Sequence, residues 1–200
     1  AWLRSLPDDY MTSKQTVSYT GLFDDVAADA WYAPAVDYVK YGRLMYGTGN
    51  NLFQPDAQMT RAMFVQVLYA LEGSPSVSGL SCPLTDAGGS WYTDAVIWAY
   101  NAGVVAGVSP TRFAPNEALT REQMVTMLYG YAGREQALRG SDGALAGYQD
   151  QARVSTWARE AMAWAVGTGV IAGTSATTLA PQKTGTRAEV ATVLMRFCEQ

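Results

Sequence analysis

Three arginines occupy the same place in a repeated pattern, each directly after a threonine: Arg61, Arg121 and Arg187. A guanidinium presents two parallel N–H donors, which fit a carboxylate better than a lysine ammonium does. The threonines predict helix starts, so each arginine falls in a first helical turn. The helix dipole disfavours a cation there by roughly 0.3–1 kcal/mol. An arginine that recurs three times at an unfavourable position predicts a specific partner for its charge.

Two kinds of partner fit these arginines. An apolar-x-Asp element opens each repeat and supplies an aspartate of the same fold that can pair with an arginine: Asp25, Asp86 and Asp150. The other partner is an anionic ligand whose carboxylate accepts from the guanidinium fork. Both can apply together, with the aspartate orienting the arginine, and the sequence leaves the alternatives open.

A tryptophan lies at one fixed distance before every Thr-Arg pair: Trp31, Trp91 and Trp157. A tryptophan that begins an amphipathic helix is commonly a core anchor, but its flat ring also suits the apolar face of a sugar. Glycines follow at equivalent positions, namely Gly47, Gly107 and Gly173. They indicate either a tight loop or a close approach of the backbone to a ligand.

Composition excludes several classes of function. The chain of 200 residues has no histidine, which removes the common His-dependent catalytic sets and His-containing zinc sites. Its net charge of −4 and pI near 4.8 oppose nucleic-acid binding. No apolar stretch reaches the length of a membrane span, and no Asp-x-Asp-x-Asp-Gly calcium loop occurs. We therefore expect no catalytic residue, no metal and no cofactor.

The two cysteines, Cys82 and Cys198, are too few for a four-ligand metal site. In a secreted protein they predict one disulfide closing a loop of over a hundred residues. In a cytosolic protein they are instead typical of two small buried side chains. The sequence does not decide between these interpretations.

The equivalent positions define a tandem repeat. Residues 74–81 and 134–146 are rich in Ser, Pro, Gly or charge and are typical of surface connections. Residues 1–21 match no repeat and are predicted to be an N-terminal extension or linker. The three units cover residues 22–73, 83–133 and 147–200 and are predicted to form one compact domain.

Each unit contains two predicted helices. The first begins at the tryptophan, and Gly103 and Gly169 suit the left-handed residue that ends such a helix. The first repeat has Arg43 at that position and Gly42 before it, which predicts a helix that ends one residue earlier. The second helix follows the Thr-Arg pair, with the threonine as N-cap. Gln123 and Glu189 complete capping boxes, whereas Met63 cannot.

The second helices share one apolar stripe with i, i+3, i+4, i+7 spacing. Its members are Phe64, Val67, Leu68 and Leu71, then Met124, Met127, Leu128 and Tyr131, then Val190, Val193, Leu194 and Phe197. Three such stripes are best buried by packing the second helices on each other. The predicted fold is all-α, a pseudo-threefold arrangement of helix-loop-helix repeats around a central three-helix bundle.

The combination of these motifs over residues 22–200 resembles three tandem S-layer homology repeats. The family pattern has an aromatic-x-Asp-Val opening, a Trp-led helix, a glycine turn, a Phe-x-Pro segment and a Thr-Arg-Ala-Glu helix start. The first repeat carries it as Phe23-Asp24-Asp25-Val26, Trp31-Tyr32, Gly47-Thr48-Gly49, Phe53-Gln54-Pro55 and Thr60-Arg61-Ala62.

The resemblance implies an extracellular anchor on the bacterial cell wall, with grooves between neighbouring repeats that bind secondary cell-wall polysaccharide. The ligand is often a pyruvylated N-acetylmannosamine. In this view the arginines meet its carboxylate, the tryptophans line the groove, and the aspartates take sugar hydroxyls or hold the arginine. Loop residues after the glycines offer backbone or hydroxyl contacts: Thr48, Val108 and Thr174. Val108 lacks a hydroxyl, and Ala158 replaces Tyr32 and Tyr92, so we expect unequal grooves.

Three functions compete. The leading one is glycan binding for wall attachment, without catalysis. The second is a structural role in which the fold assembles with itself, with other surface-layer subunits or with a partner protein. The third is a wall-polysaccharide hydrolase with two carboxylates, which the single repeated acid per unit argues against.

Overall fold

In the computed structural model, residues 22–133 and 143–200 are described. They contain six α-helices and two 3-10 turns, and no β-strand within these ranges. The helices are α1 (Ala33–Tyr41), α2 (Arg61–Leu71), α3 (Thr93–Asn101), α4 (Arg121–Gly133), α5 (Arg159–Gly167) and α6 (Arg187–Cys198). The 3-10 turns Gln151–Arg153 and Thr156–Ala158 precede α5. The predicted all-α class is confirmed.

Two sequence predictions fall wholly or partly outside the described residues. The N-terminal extension at 1–21 is one, and most of the connection at 134–146 is the other. Among the helices that are described, none combines the length and the apolar character needed to cross a membrane.

The chain divides into two compact units that do not coincide with the sequence repeats. The described part of one unit is 22–58 with 186–200, and the other unit is 59–185. In the first unit α1 packs on α6, and in the second α3 packs on α2 and α5 packs on α4. The first helix of repeat two thus packs on the second helix of repeat one, and that of repeat three on the second helix of repeat two. The first helix of repeat one packs on the second helix of repeat three.

A closed ring of three backbone hydrogen bonds joins the repeats inside the second unit. The N–H of Met59 donates to Gly185 at 3.1 Å, that of Leu119 to Met59 at 2.8 Å, and that of Gly185 to Leu119 at 2.9 Å. These residues hold equivalent positions, one before each capping threonine. A cyclic relation between repeats is what the predicted pseudo-threefold arrangement requires.

The second helices begin as predicted. In repeat one Thr60 Oγ1 accepts from the N–H of Met63 at 3.3 Å, with no reciprocal bond. Repeats two and three have complete capping boxes, in which the N–H of Thr120 donates to Gln123 and the N–H of Thr186 donates to Glu189, each at 3.1 Å. The apolar stripe is buried except at Leu71, which is half-buried.

The first helices differ from the prediction at their start and, in repeat one, also at their end. They begin two residues after the tryptophan, which lies in the turn that leads into each helix. Gly103 and Gly169 have φ values of 70° and 76°, as expected for the left-handed residue after a helix. The predicted early end of the first repeat's helix is wrong, because Arg43 itself takes this conformation with φ 56°. The bond from the Leu44 N–H to the Val39 carbonyl, 2.8 Å, requires it.

The long loop of each repeat is closed by the carboxylate of its opening aspartate. Both carboxylate oxygens accept from consecutive backbone N–H groups across the loop, at 2.7–2.8 Å. The donors are Phe53 and Gln54 for Asp25, Phe113 and Ala114 for Asp86, and Leu179 and Ala180 for Asp150. We call this arrangement the aspartate clamp.

The aspartate clamp offsets backbone strain in the loop. The second donor has positive φ in every repeat, 56° at Gln54, 61° at Ala114 and 50° at Ala180. A side chain in this region costs about 1 kcal/mol, and hydrogen bonds to a charged acceptor contribute about 1.5–3 kcal/mol each. The carboxylate therefore selects a turn that the sequence itself disfavours.

We predict that Asp150→Asn lowers the free energy of unfolding by about 1–3 kcal/mol, because one charged acceptor becomes a neutral amide. Burial raises the pKa of Asp150, but the backbone N–H donors Leu179 and Ala180 outweigh it and leave the pKa below its ordinary value. A lowered folded-state pKa gives stabilisation that is complete above the unfolded pKa near 3.9 and lost as the pH falls through the folded value. Urea unfolding at pH 7 and at decreasing pH measures both effects.

The matched control is Asp29→Asn, since Asp29 is exposed and has no hydrogen-bond partner among the described residues. It should leave stability within about 0.5 kcal/mol of the parent protein. Equal effects of the two changes would contradict the aspartate clamp.

We also predict that Arg43→Gly stabilises the protein by about 0.5–1 kcal/mol, because glycine takes the left-handed conformation without strain. The reverse exchange, Gly103→Arg, should destabilise it by a similar or larger amount. Chemical denaturation of both variants tests the assignment, and a loss of stability in Arg43→Gly would refute it.

Candidate functional site

The three tryptophans lie on the surface. Their exposed fractions are 65% for Trp31, 61% for Trp91 and 57% for Trp157, so none of them is a core anchor. In repeat one the ring packs edge-on against Tyr32 at 5.3 Å, and in repeat two Trp91 packs in the same way against Tyr92 at 5.1 Å. Exposed indole faces are what the sugar-platform interpretation requires.

Each arginine joins its own helix to the loop of the following repeat. The Nε–H of Arg61 donates to the Phe113 carbonyl at 2.9 Å. The same bond links Arg121 to Leu179 at 3.0 Å and Arg187 to Phe53 at 2.7 Å. The acceptor is the residue whose N–H is bound by the aspartate clamp. The aspartate therefore binds the N–H of this loop residue, and the arginine binds its carbonyl. The sequence did not predict a backbone carbonyl as the partner of the arginine.

This arrangement explains why a cation is tolerated in a first helical turn. The guanidinium of Arg61 lies over the Phe113 ring at 4.7 Å, and that of Arg187 lies over Phe53 at 4.6 Å. Burial lowers the pKa of Arg61, and that of Arg187, while nearby acids (Asp86 and Glu117, or Asp25) oppose the shift. Both side chains remain charged at neutral pH, because their ordinary pKa is above 12.

The loop also takes up the free N–H groups of the first helical turn. In α2 the N–H of Arg61 donates to Glu117 and that of Ala62 to Pro115, both at 3.0 Å. The equivalent pairs in α4 and α6 are present at 2.9 Å. These helix N-termini consequently have few backbone donors left for an anion, and the arginine side chain remains the main cationic donor.

The terminal nitrogens distinguish one arginine from the other two. Nη2 of Arg121 donates to the Ala172 carbonyl at 2.5 Å, and Nη2 of Arg187 donates to the Tyr46 carbonyl at 2.6 Å. The equivalent carbonyl for Arg61 belongs to Ala106, and no such bond occurs. Among the described residues the terminal nitrogens of Arg61 have no hydrogen-bond partner, so its fork remains available.

A cleft of about 470 Å³ in the second unit brings together predicted site residues from all three repeats. Repeat one contributes Arg61, repeat two contributes Gly107 and Val108, and repeat three contributes Trp157. The remaining lining residues are Val104, Val105, Ala106, Gln123, Thr126 and Met127. We call this the Arg61 cleft. It combines one buried guanidinium, mostly apolar walls and an indole, and no carboxylate is among its lining residues.

Sequence reasoning did not find six of these lining residues, namely Val104, Val105 and Ala106 after α3 and Gln123, Thr126 and Met127 on α4. Gln123 and Thr126 lie on α4 beside Met127, which was assigned to the core stripe. Their spacing on one helix face was the available signal, but only the fold shows that this face borders a cleft. Thr126 donates its hydroxyl to the Glu122 carbonyl at 2.7 Å, and Gln123 is held by its capping box.

The repeated glycines are explained by close packing within the loops. A Cβ on Gly107 would lie 2.7 Å from Leu84, and one on Gly173 would lie 2.6 Å from Tyr148. At Gly47 the neighbour is Phe23, at 2.7 Å. These distances are too short for a side chain, so the tight-loop interpretation accounts for all three positions.

The residues after these glycines take part in the same loops. The N–H of Thr48 donates to Leu52 at 2.8 Å, and its hydroxyl donates to the same carbonyl at 3.3 Å. Thr174 makes both bonds to Thr178 at the same distances. Their backbone donors are therefore already used, and each hydroxyl retains accepting capacity for a ligand.

Both cysteines are free in the structure and half-buried. The structure therefore shows the thiol form, and the disulfide interpretation for a secreted protein stays a prediction. Burial raises the pKa of Cys198 to about 11, although a hydrogen bond with Tyr38 opposes the shift. A thiol of this kind stays protonated at neutral pH and exchanges slowly with disulfides.

Comparison with known proteins agrees with the repeat structure. The family model described as S-layer homology domain matches three segments, 22–63, 83–125 and 147–191. An endoglucanase of Bacillus sp. (strain KSM-635) is 30% identical over 86% of this chain and 18% of its own length. An S-layer protein of Bacillus thuringiensis subsp. finitimus is 26% identical over 89% of the chain and 21% of its own length.

An amylopullulanase of Thermoanaerobacterium thermosulfurigenes is 27% identical over 91% of the chain and 10% of its own length. The chain thus spans about a tenth to a fifth of these relatives. The S-layer homology domain is a non-catalytic anchoring module, and the matched enzymes have it as a separate part of a larger chain. With three matched segments over most of its length, the chain belongs to the S-layer homology domain family and has an extracellular, cell-surface anchoring or surface-layer role.

Proposed function

We propose that this chain is a non-catalytic wall anchor that binds secondary cell-wall polysaccharide in the Arg61 cleft, through a sugar that carries a carboxylate. A pyruvylated amino sugar has the required chemistry. The observation that carries the proposal is that Arg61 and Trp157 line the same cleft. Arg61 offers terminal N–H donors that have no partner among the described residues, and Trp157 offers an exposed indole.

The electrostatics of the cleft support an anionic ligand. Arg61 is 4% exposed, so its charge is poorly solvated and gains from a partner of opposite sign. Its Nε–H is fixed on the Phe113 carbonyl, which orients the terminal nitrogens in advance. A carboxylate that accepts from them forms charge-assisted hydrogen bonds, and the nearby acids Glu117 and Asp86 are not among the lining residues.

The remaining walls suit a sugar with apolar substituents. Trp157 offers a face on which C–H groups of a pyranose ring can stack. Val104, Val105 and Val108 provide aliphatic surface for a methyl or acetyl group. The cleft volume, about 470 Å³, accommodates one or two sugar residues rather than a folded partner.

Two observations support a function separate from catalysis. The relatives combine this segment with differently named proteins, glycan-cleaving enzymes as well as S-layer proteins, so the shared part cannot explain any one activity. In addition, a glycosidase needs two carboxyl groups about 5–9.5 Å apart across the bond it cleaves. None of the residues that line the Arg61 cleft is an acid.

The second candidate is a surface-layer component that acts by self-assembly or through a protein partner. The S-layer proteins among the relatives favour it. Ordered arrays formed by the purified chain in the absence of polysaccharide, seen by negative-stain microscopy, would support this role over wall binding.

We predict that Trp157→Ala weakens binding to pyruvylated wall polysaccharide about tenfold or more, because the stacking surface is lost. The side chain is 57% exposed, so the fold should survive with an unchanged helical circular dichroism spectrum. The matched changes Trp31→Ala and Trp91→Ala remove equally exposed indoles outside this cleft. Calorimetric titration should show smaller effects for them, and three equal losses would contradict the assignment to the Arg61 cleft.

We further predict that Gln123→Glu weakens the same binding about fivefold at low salt, because it places a carboxylate on the cleft wall beside Arg61. Its fold should be intact, since repeat three has Glu189 in the same capping box. The effect should shrink as added salt screens the charges. The converse change, Glu189→Gln, is the control and should leave affinity unaltered. Unchanged binding by Gln123→Glu would argue against an anionic ligand at this wall.

A further inference from the structure

Trp157 is supported differently from its two counterparts. Trp31 and Trp91 each pack edge-on against the tyrosine that follows them. In repeat three the following residue is Ala158, which has no ring to offer. The segment between the opening aspartate and the tryptophan also differs, since it is longest in repeat three. Trp157 therefore needs another support to present its indole in a fixed orientation.

A buried glutamate on the neighbouring helix provides that support. Glu122, in the first turn of α4, is 4% exposed. Its carboxylate accepts from the Ser155 N–H at 3.0 Å and from the Ser155 hydroxyl at 2.9 Å. Ser155 is the residue that precedes the 3-10 turn Thr156–Ala158, in which Trp157 is the central residue.

This contact has no equivalent in the other repeats. The matching positions after the arginine are Ala62 and Ala188, which have no polar group on the side chain. Burying a carboxylate is costly unless it is hydrogen-bonded, and here a backbone N–H and a hydroxyl both donate to it. The glutamate thus lies between repeats two and three, where the tryptophan is followed by an alanine rather than a tyrosine.

We infer that Glu122 is a positioning residue, which holds Trp157 at the wall of the Arg61 cleft through Ser155. The inference rests on the proposed function for its consequence in binding. Two hydrogen bonds to one residue fix the start of the turn, and the turn also packs on α4 and α5. A platform that is ordered before the ligand arrives loses less conformational entropy on binding, so its affinity is higher.

The first test follows the indole itself, without any ligand. The Trp157 Nε1–H signal is assigned in the ¹⁵N spectrum with Trp157→Phe, and its heteronuclear relaxation is measured in the parent protein and in Glu122→Ala. We expect a lower order parameter for Trp157 in the variant, and no change for Trp91 in the same unit. Glu122→Gln keeps one acceptor oxygen and should restore part of the order.

The control is Glu160→Ala, which removes another carboxylate of this unit, one that accepts from the Tyr129 hydroxyl at 2.9 Å. It should leave the Trp157 signal as in the parent. An unchanged Trp157 order parameter in Glu122→Ala, with the helical spectrum intact, would overturn the inference. So would an equal loss of order at Trp91, because that would indicate general loosening.

The second test measures binding of pyruvylated wall polysaccharide by calorimetry. Glu122→Ala should bind about five- to tenfold more weakly than the parent, with Glu122→Gln between them. A mobile Trp157 with parental affinity would overturn the role of Glu122 and leave the proposed function intact. Absence of binding by the parent would instead overturn the proposed function, and with it the consequence of Glu122 for affinity.

Discussion

The structure depends on one hydrogen bond repeated three times, from an arginine Nε–H in a first helical turn to a loop carbonyl of the next repeat. At Phe113 the carbonyl is held by Arg61 and the N–H by Asp86, so two charged side chains from different repeats fix one loop residue. Two other carbonyls of the same loop, those of Pro115 and Glu117, accept from the first N–H groups of α2. Because the contact always joins one repeat to the following one, no repeat can form its loop and helix start alone.

This interaction sets the character of the Arg61 cleft. An arginine that binds a loop carbonyl through its Nε–H is buried and held in one orientation. Whether it can also bind a ligand depends on how many of its terminal N–H donors are still free. Arg121 and Arg187 each donate a terminal nitrogen to a second loop carbonyl, whereas Arg61 does not. In the proposed function, structural and binding roles are combined in one residue type, and the repeats differ in how many guanidinium donors the structural role uses.

The parts of the fold that could be predicted from sequence were local or periodic. Threonine caps, the buried stripes and the left-handed glycines follow from residue spacing within a single helix. The partner of the arginines could not be predicted, because a backbone carbonyl has no sequence signal and Arg187 meets Phe53 from the far end of the chain. The conformation of Arg43 was missed for a related reason, since the helix-ending hydrogen bonds override the preference of its side chain. For the site, sequence supplied Arg61 and Trp157, but only the fold shows that they meet and that Gln123 joins them.

In the proposed binding mode, a ligand carboxylate accepts from the terminal nitrogens of Arg61, which have no partner among the described residues. The most direct test of this contact is a calorimetric titration with pyruvylated wall polysaccharide and with the same polymer after mild acid has removed the ketal. We expect saturable binding to the intact polymer that weakens with salt, and at least about tenfold weaker binding to the stripped polymer. Equal affinity for both polymers would contradict the carboxylate–arginine contact. Binding to neither would favour surface-layer assembly or a protein partner.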